Sequence, residues 1–316
     1  MSATSPARDV ERSAWELPEL LGVSSDLERL HAVIAAWVED CDAEVREMVQ
    51  RQMSARAKYF RPVTVMACHY AAATTPVPAR VLRSAAAVEL LHNVSLIIDD
   101  ILDRSRYRRG ELSLHCRYGF LPALMTAGYV GFAGSKLVAS DAYSVRLLAE
   151  LMQRLGAAEC LQWRLRRQPL GVEDWRAIAG EDTGTMFEIC ARLGTRDDSL
   201  SLYGRLLGTL YHGCDDVADV RGATALGGGS EKDVLDGILT LPAAVAMRKP
   251  STALLFRNSG PGTYARIVHE LRGALPEAEA YLGRLADEAE VEARRNAAHP
   301  GLLLELVRHT RALSSA

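Results

Sequence analysis

The sequence predicts an all-α fold, one large helical domain. Three observations carry that reading. The 316 residues are 48% hydrophobic but only 6% aromatic, and alanine and leucine are abundant, a mix that favours helix over strand. Apolar residues recur at helical spacing along most of the chain, and no alternating run of useful length marks a strand. No Pro-, Gly- or Ser-rich linker divides the sequence, so a single domain is expected over residues 25–316, behind a flexible N-terminal segment at 1–24.

The elements follow in order. Residues 25–53 form an amphipathic pattern with charges on one face. A long apolar helix is expected from Pro78 to Asp103, since proline suits a helix start. Further helices are expected at 120–140 and at 142–167, the second rich in arginine and read as a solvated face. The stretch 172–194 reads as a helix bent near Gly180 or Gly184, and 199–220 as the next. The glycine-rich loop 221–237 reads as a flexible cover rather than a phosphate loop, because no Walker lysine pattern follows Gly227–Gly229. A helix then starts at Thr240, and the last sixty residues hold two or three more.

Composition excludes several classes of function. A formal net charge of −3 gives no broad nucleic-acid surface. The six cysteines occur singly, without CxxC spacing, and read as reduced thiols of a cytoplasmic protein. No apolar signal core opens the chain, and the apolar run 119–134 is short for a membrane span.

The chemistry gathers in two aspartate triplets. In "LHNVSLIIDDILDRSRYRRG", Asp99 and Asp103 lie four residues apart and share a helix face, with Asp100 about 100° round. The same spacing returns as Asp215, Asp216 and Asp219 in "GCDDVADV". Carboxylates crowded on one face repel, and burial raises the cost. A divalent cation relieves it, and oxygen-only ligands favour Mg²⁺, which bridges readily to phosphates. Arg108 and Arg109 follow the first triplet, and Lys58 and Arg61 form a second basic cluster, both suited to phosphate oxygens. His92 lies about two turns before Asp99 on nearly the same face.

With these residues in place, the chain resembles the trans-isoprenyl diphosphate synthase (polyprenyl synthetase) family, in particular its geranylgeranyl diphosphate synthases, from about residue 25 to 310. The first motif with its RRG matches Asp99, Asp100, Asp103, Arg108, Arg109 and Gly110, and the second matches Asp215, Asp216 and Asp219. "RAKYFRP" is a degenerate form of the family's GGKRLRP that keeps Lys58, Arg61 and Pro62, and "DVLDGILTLP" resembles its DLxEGKxTLP. The resemblance implies a helical bundle around a central cavity (the isoprenoid synthase type I fold), usually homodimeric. It implies Mg²⁺-assisted ionisation of an allylic diphosphate and attack by isopentenyl diphosphate. By position, Lys58, Arg61, His92 and Arg109 would bind isopentenyl diphosphate. Arg108 would contact the allylic diphosphate, whose Mg²⁺ ions would sit on Asp99, Asp103 and Asp215, with Asp100, Asp216 and Asp219 as partial or outer ligands. Thr183 matches the threonine of the family's KT motif. Leu91, Val94 and Ser95, one to two turns before Asp99, would line the tail cavity. None of them is a bulky aromatic floor, which points to a C20 product or longer.

The pattern departs from the family at several places. Asp182 and His212 stand where lysine and glutamine are usual, Gly228 and Ile238 where two further lysines are usual, and Tyr129 where an aspartate is usual. His212 then becomes a candidate contact to the allylic diphosphate, and Lys232 a candidate replacement for the missing lysines. Beside elongation, two readings remain open on the same scaffold: a terpene cyclase acting on an allylic diphosphate alone, and a weakly catalytic subunit of a partner synthase.

Overall fold

The computed structural model describes residues 17–54, 57–222 and 230–315. Helices α1 (Ser24–Glu39), α2 (Ala43–Ser54), α3 (Phe60–Ala72) and α4 (Ala79–Leu102) lead to a two-stranded hairpin, β1 (Tyr107–Arg108) and β2 (Glu111–Leu112). Then come α5 (Leu114–Tyr118), α6 (Phe120–Ser135), α7 (Ala142–Leu165) and α8 (Val172–Ala179). A π-helical turn at Gly180–Gly184 runs into α9 (Thr185–Thr195), followed by α10 (Ser201–Arg221) and α11 (Ser230–Asp236). The chain closes with α12 (Leu241–Ala246), α13 (Pro250–Arg257), α14 (Tyr264–Asn296) and α15 (Gly301–Ala312).

The all-α expectation holds, with four local differences. The amphipathic stretch at 25–53 is two helices, broken at Asp40–Asp42, where the Arg46 guanidinium takes Cys41 O and the Tyr129 hydroxyl takes Asp42 N. The expected flexible segment is in part core: Leu17, Leu21 and Val23 are buried, because the helical turn they begin covers apolar surface of the bundle. The hairpin carries no alternating pattern that could be read, being two residues a side. The bend expected near Gly180 or Gly184 is the π-helical turn that spans both.

Local chemistry explains several helix ends. Asp141 caps α7 by accepting from the backbone and hydroxyl of Ser144. Thr240 caps α12 through Ala243 N, with Pro242 in the first turn. α4 is long and apolar enough to cross a membrane, but 78% of its most apolar window is buried inside the bundle, so it reads as the core helix.

α9 packs between α3 and α10, and α10 packs against α14. α4 packs on α3 and α6. The core is anchored by Trp175, Tyr203, Phe187 and Phe256, each worth about 1.5–3 kcal/mol on burial. Gly208 lets α10 approach the π-turn: a Cβ there would stand 2.5 Å from Thr183 O. That close approach brings the Asp182–Thr183 turn beside the α10 face that carries His212 and the second aspartate triplet.

Candidate active site

α4 is apolar until its last turn, where it reaches the cavity and its carboxylates begin. Asp99 is half-buried, and burial, then Glu159, Asp182 and Asp103, push its carboxyl up to about 8. Asp100 is different. It is 2% exposed, and Arg108 donates to its Oδ1 from Nε at 2.9 Å and from NH2 at 2.6 Å. Asp100, expected among the metal ligands, therefore faces the hairpin, because one residue turns the helix by about 100°. Arg108, expected on the allylic diphosphate, is engaged in the same pair.

The hairpin pairs Tyr107 with Leu112 and Arg108 with Glu111. Its two-residue turn has positive φ at both positions, Arg109 at 53° and Gly110 at 85°. That is the primed-turn geometry, in which glycine suits the second position. The consequence is a division of labour: Arg108 is held by Asp100, while Arg109 turns toward Glu89 and Arg61.

The second wall is α10. Asp215 Oδ1 is buried with no hydrogen-bond partner among the described residues, and burial, then Asp219 and Asp216, push the group up to about 8. Asp216 is anchored: its Oδ2 accepts from Trp175 Nε1 and from Leu241 N, both at 2.8 Å. It thus ties α8, α10 and α12 together.

His212 sits one turn before Asp216. Its Nδ1 lies 2.9 Å from Thr183 Oγ1 and 3.4 Å from Asp182 Oδ2, and its Nε2 lies 3.9 Å from Asp216 Oδ1. Burial opposes its charge, but Asp216, Asp182 and Asp215 outweigh burial and raise it to about 9. The imidazolium is the local cation of an acidic wall.

Two acidic residues escaped the sequence reading. Burial, then Asp182 and Asp103, push Glu159 up to about 7, and burial, then Asp216, Asp219 and Asp103, push Asp233 to about 7. Asp233 thus feels both aspartate motifs, so α4 and α10 present their triplets to one cavity. Neither residue belongs to a triplet; Glu159 lies in no motif, and Asp233 opens the "DVLDGILTLP" stretch without standing out in it.

The basic residues form a separate pocket. Arg61 NH1 lies 3.0 Å from His92 Nε2, and its guanidinium lies over the Phe187 ring at 5.6 Å. Arg61 Nε and His92 Nδ1 are buried with no hydrogen-bond partner among the described residues. Burial, then Arg61, Arg109 and Arg108, hold His92 well below the usual imidazole range, so it is neutral. Lys58 is half-buried just before α3. Sequence reasoning also missed Glu89, 2% exposed beside Arg61 and Arg109. Asn93 donates to Glu89 Oε1 at 3.3 Å and accepts from Gln52 at 3.3 Å.

Leu91 and Val94 are buried and Ser95 half-buried, its hydroxyl donating to His92 O at 2.8 Å. A Cβ on Gly131 of α6 would meet Val94 at 3.8 Å, so Val94 lies on the α4–α6 seam. The Lys232 side chain and Gly228 lie outside the described residues. Ile238 lines a small cavity with Asp216, Asp219 and Asp233.

The carboxylates suit divalent metal. All donors on the two walls are oxygens apart from His212, Asp215 offers an unpartnered buried oxygen, and raised proton affinity marks charge that a cation would relieve. Among the described residues no three such side chains form a ready-made cage.

Comparison with known proteins agrees with this fold. The nonaprenyl diphosphate synthase of Mycobacterium tuberculosis is 25% identical over 239 residues, 72% of this chain and 71% of that one. Geranylgeranyl pyrophosphate synthase 4 of Arabidopsis thaliana is 28% identical over 191 residues, 53% of this chain and about half of that one, 51%. Among solved structures, a polyprenyl synthase from Caulobacter crescentus complexed with calcium and isoprenyl diphosphate superposes with a TM-score of 0.83 at 23% identity, covering 95% of this chain and 97% of that one. The Polyprenyl synthetase family matches residues 42–266 of the 316. With that match over most of its length, the chain belongs to the polyprenyl synthetase family, whose members are trans-prenyltransferases.

Proposed function

We propose that this chain is a trans-prenyltransferase that condenses isopentenyl diphosphate with an allylic diphosphate and yields a prenyl diphosphate of C20 or longer. The observation that carries the reading is the pairing of two unlike subsites. One is an acidic cavity between α4 and α10, and the other a basic pocket whose buried donors, Arg61 Nε and His92 Nδ1, have no partner among the described residues. A cyclase acting on one diphosphate leaves that second pocket without an occupant.

Asp99, Asp103 and Asp215 would hold Mg²⁺, with Asp219 beside them and Asp216 orienting the wall through Trp175 and Leu241 N. Mg²⁺, when bound, would neutralise the charge that develops on the leaving diphosphate. The His212 imidazolium adds a fixed cation on the same side. On the other side Lys58, Arg61 and Arg109 grip the second diphosphate, and neutral His92 offers a hydrogen bond without adding charge. The allylic C–O bond breaks, and its electron pair leaves with the diphosphate. The isopentenyl double bond then attacks the allylic carbocation, and the adduct loses a proton to the released diphosphate. Leu91 and Val94 keep water from the apolar seam where the tail grows.

A second copy of the chain is the proposed partner. α6 exposes Leu121, Met125 and Phe132, at 64%, 61% and 83%, on one face, an apolar stripe that costs free energy in water.

The deciding experiment incubates the chain with Mg²⁺, isopentenyl diphosphate and C5, C10 or C15 allylic diphosphates. Longer prenyl diphosphates are expected. No isopentenyl-dependent product with any partner overturns the reading, and hydrocarbon or alcohol from an allylic diphosphate alone establishes the cyclase instead.

A further inference from the structure

α7 ends at Leu165, and the next residues turn onto the segment that follows α11. Arg167 has φ 60°, a left-handed conformation that costs a non-glycine residue about 1–2 kcal/mol, so the surrounding structure must hold it there. The holding contacts are visible. Arg167 N donates to Gly237 O at 2.8 Å, its Nε to Ser259 Oγ at 3.0 Å, and its NH2 to Leu235 O at 3.0 Å. Gly237 is left-handed as well, at φ 70°, and a Cβ on it would stand 2.4 Å from Arg167 Cγ. Arg166 adds a second grip, stacking over the Trp163 ring at 3.0 Å and reaching Asp236 at 3.7 Å. These arginines were expected on a solvated helix face. Arg166 and Arg167 instead grip a neighbouring turn, because the helix has already ended where they begin.

That turn carries Asp233 on its inner side. Ile238 N donates to Asp233 O at 2.9 Å and closes the loop. Asp233 lines the same small cavity as Asp216 and Asp219. The outer side of the turn is therefore fixed by Arg166 and Arg167, and the inner side faces the second aspartate triplet. Each exposed hydrogen bond is weak alone. Three contacts converge on Leu235, Asp236 and Gly237, however, and Gly237 leaves no slack in the contact.

We propose that Arg167, supported by Arg166 and Trp163, is a positioning clasp that fixes the 233–238 turn, holds the Asp233 carboxylate against the second aspartate triplet, and so sets the divalent-cation affinity of the cavity. The clasp rests on the prenyltransferase reading for the use made of that cation, and its geometry stands apart from it. Two variants approach it from opposite sides: Arg167→Ala removes the side-chain grip, and Gly237→Ala forces the contact open without touching a charge. Asp233→Asn removes the group on which the clasp acts.

The test is calorimetric titration of Mg²⁺, with inorganic diphosphate present, into the full chain and these variants. Arg167→Ala and Gly237→Ala should each weaken Mg²⁺ binding about tenfold, as loss of an outer-shell support does. The double variant Arg167→Ala/Asp233→Asn should bind no more weakly than Asp233→Asn alone. Affinities within twofold of the parent in both clasp variants overturn the proposal, as do losses that multiply in the double variant. If one clasp variant fails to fold, the other still gives the reading. Because the readout is binding, the two ideas separate: a parent that elongates with unaltered Mg²⁺ affinity in the variants sinks the clasp, and a parent that does not elongate but loses Mg²⁺ affinity through Asp233 sinks only the functional reading.

Discussion

His212 Nδ1 stands 3.4 Å from Asp182 Oδ2, while its Nε2 lies 3.9 Å from Asp216 Oδ1, so one imidazole spans the π-turn and the α10 wall. The two residues are thirty positions apart and meet because Gly208 lets α10 close on Thr183 O. Both stand at positions where the family pattern is broken, and they are neighbours. The cation that a lysine would place on the π-turn is supplied here from α10.

The first prediction concerns that imidazolium. Its pKa is raised to about 9 in the folded chain, against about 6.5 in an unfolded one. A raised histidine contributes stability that is complete below pH about 6.5 and is lost as pH rises through about 9. For the metal-free protein, the stability difference between parent and His212→Gln should be greatest near pH 6 and shrink by up to about 3 kcal/mol by pH 9.5, from about 1.4 kcal/mol per unit. Urea unfolding at the two pH values checks this, and a pH-independent difference refutes it. In turnover, His212→Gln should raise the allylic KM about tenfold, the worth of one charged phosphate contact, and leave the isopentenyl KM within twofold.

The second prediction contrasts two adjacent aspartates. Asp99 carries charge that burial and its neighbours oppose, whereas Asp100 is buried against Arg108. Asp99 has its folded pKa raised from about 4 to about 8, so its contribution to metal-free stability is complete below about pH 4 and is lost by pH 8. Asp99→Asn should then stabilise the metal-free protein at pH 8 by about 1–3 kcal/mol while lowering elongation at least about a hundredfold. Asp100→Ala should destabilise by about 3–5 kcal/mol, because it strands Arg108. Thermal melts in chelator and a steady-state assay distinguish the two; equal effects on stability would refute the division.

Asp99 and Asp100 also show how far a sequence can be read. Helical periodicity and the DDxxD spacing sufficed for the fold and for two carboxylate-bearing walls, because both are local properties of one helix. Asp100's true partner was not legible, since it depends on a two-residue hairpin too short to leave a pattern. The roles of Glu159, Glu89 and of Asp233, which opens the matched "DVLDGILTLP" stretch, were hidden for a related reason. Each is an ordinary acidic residue in its own helix, and its role comes from what other helices place beside it. The helix break at Asp40–Asp42 was missed likewise, because Tyr129 supplies its partner from α6.

The third prediction falls on Glu89. A buried carboxylate inside a basic pocket is costly unless it compensates nearby cations, and Arg61 and Arg109 both face it. Removing its charge leaves two guanidinium groups repelling across a poorly solvated gap. Glu89→Gln keeps the Asn93 hydrogen-bond frame but should raise the isopentenyl KM about tenfold by letting Arg61 and Arg109 drift apart, as for loss of one charged hydrogen bond. The allylic KM should hold within twofold. A variant that binds isopentenyl diphosphate as well as the parent shows that Glu89 only packs.

The fourth prediction concerns product length. Ser95 is half-buried on α4 one turn before Asp99, and its hydroxyl is satisfied by His92 O, so it needs nothing from the cavity. One residue earlier, Val94 reaches the Gly131 backbone of α6, so the seam is bounded there by small groups. Ser95→Phe places a ring where only a hydroxymethyl stood, and a helix side chain leans toward the preceding turn, here toward Leu91 and His92. The growing tail would meet that ring after fewer isoprene units. The major product should shift toward C15, with kcat for the first addition within about threefold, since every charged group of both diphosphate subsites stays in place. Chromatography of the dephosphorylated alcohols gives the distribution. An unchanged distribution removes Ser95 from the tail cavity and leaves Val94 and Leu91 to set the floor. A shortened product with an unaltered isopentenyl KM places the tail along the α4–α6 seam, separate from the basic pocket that holds the second diphosphate.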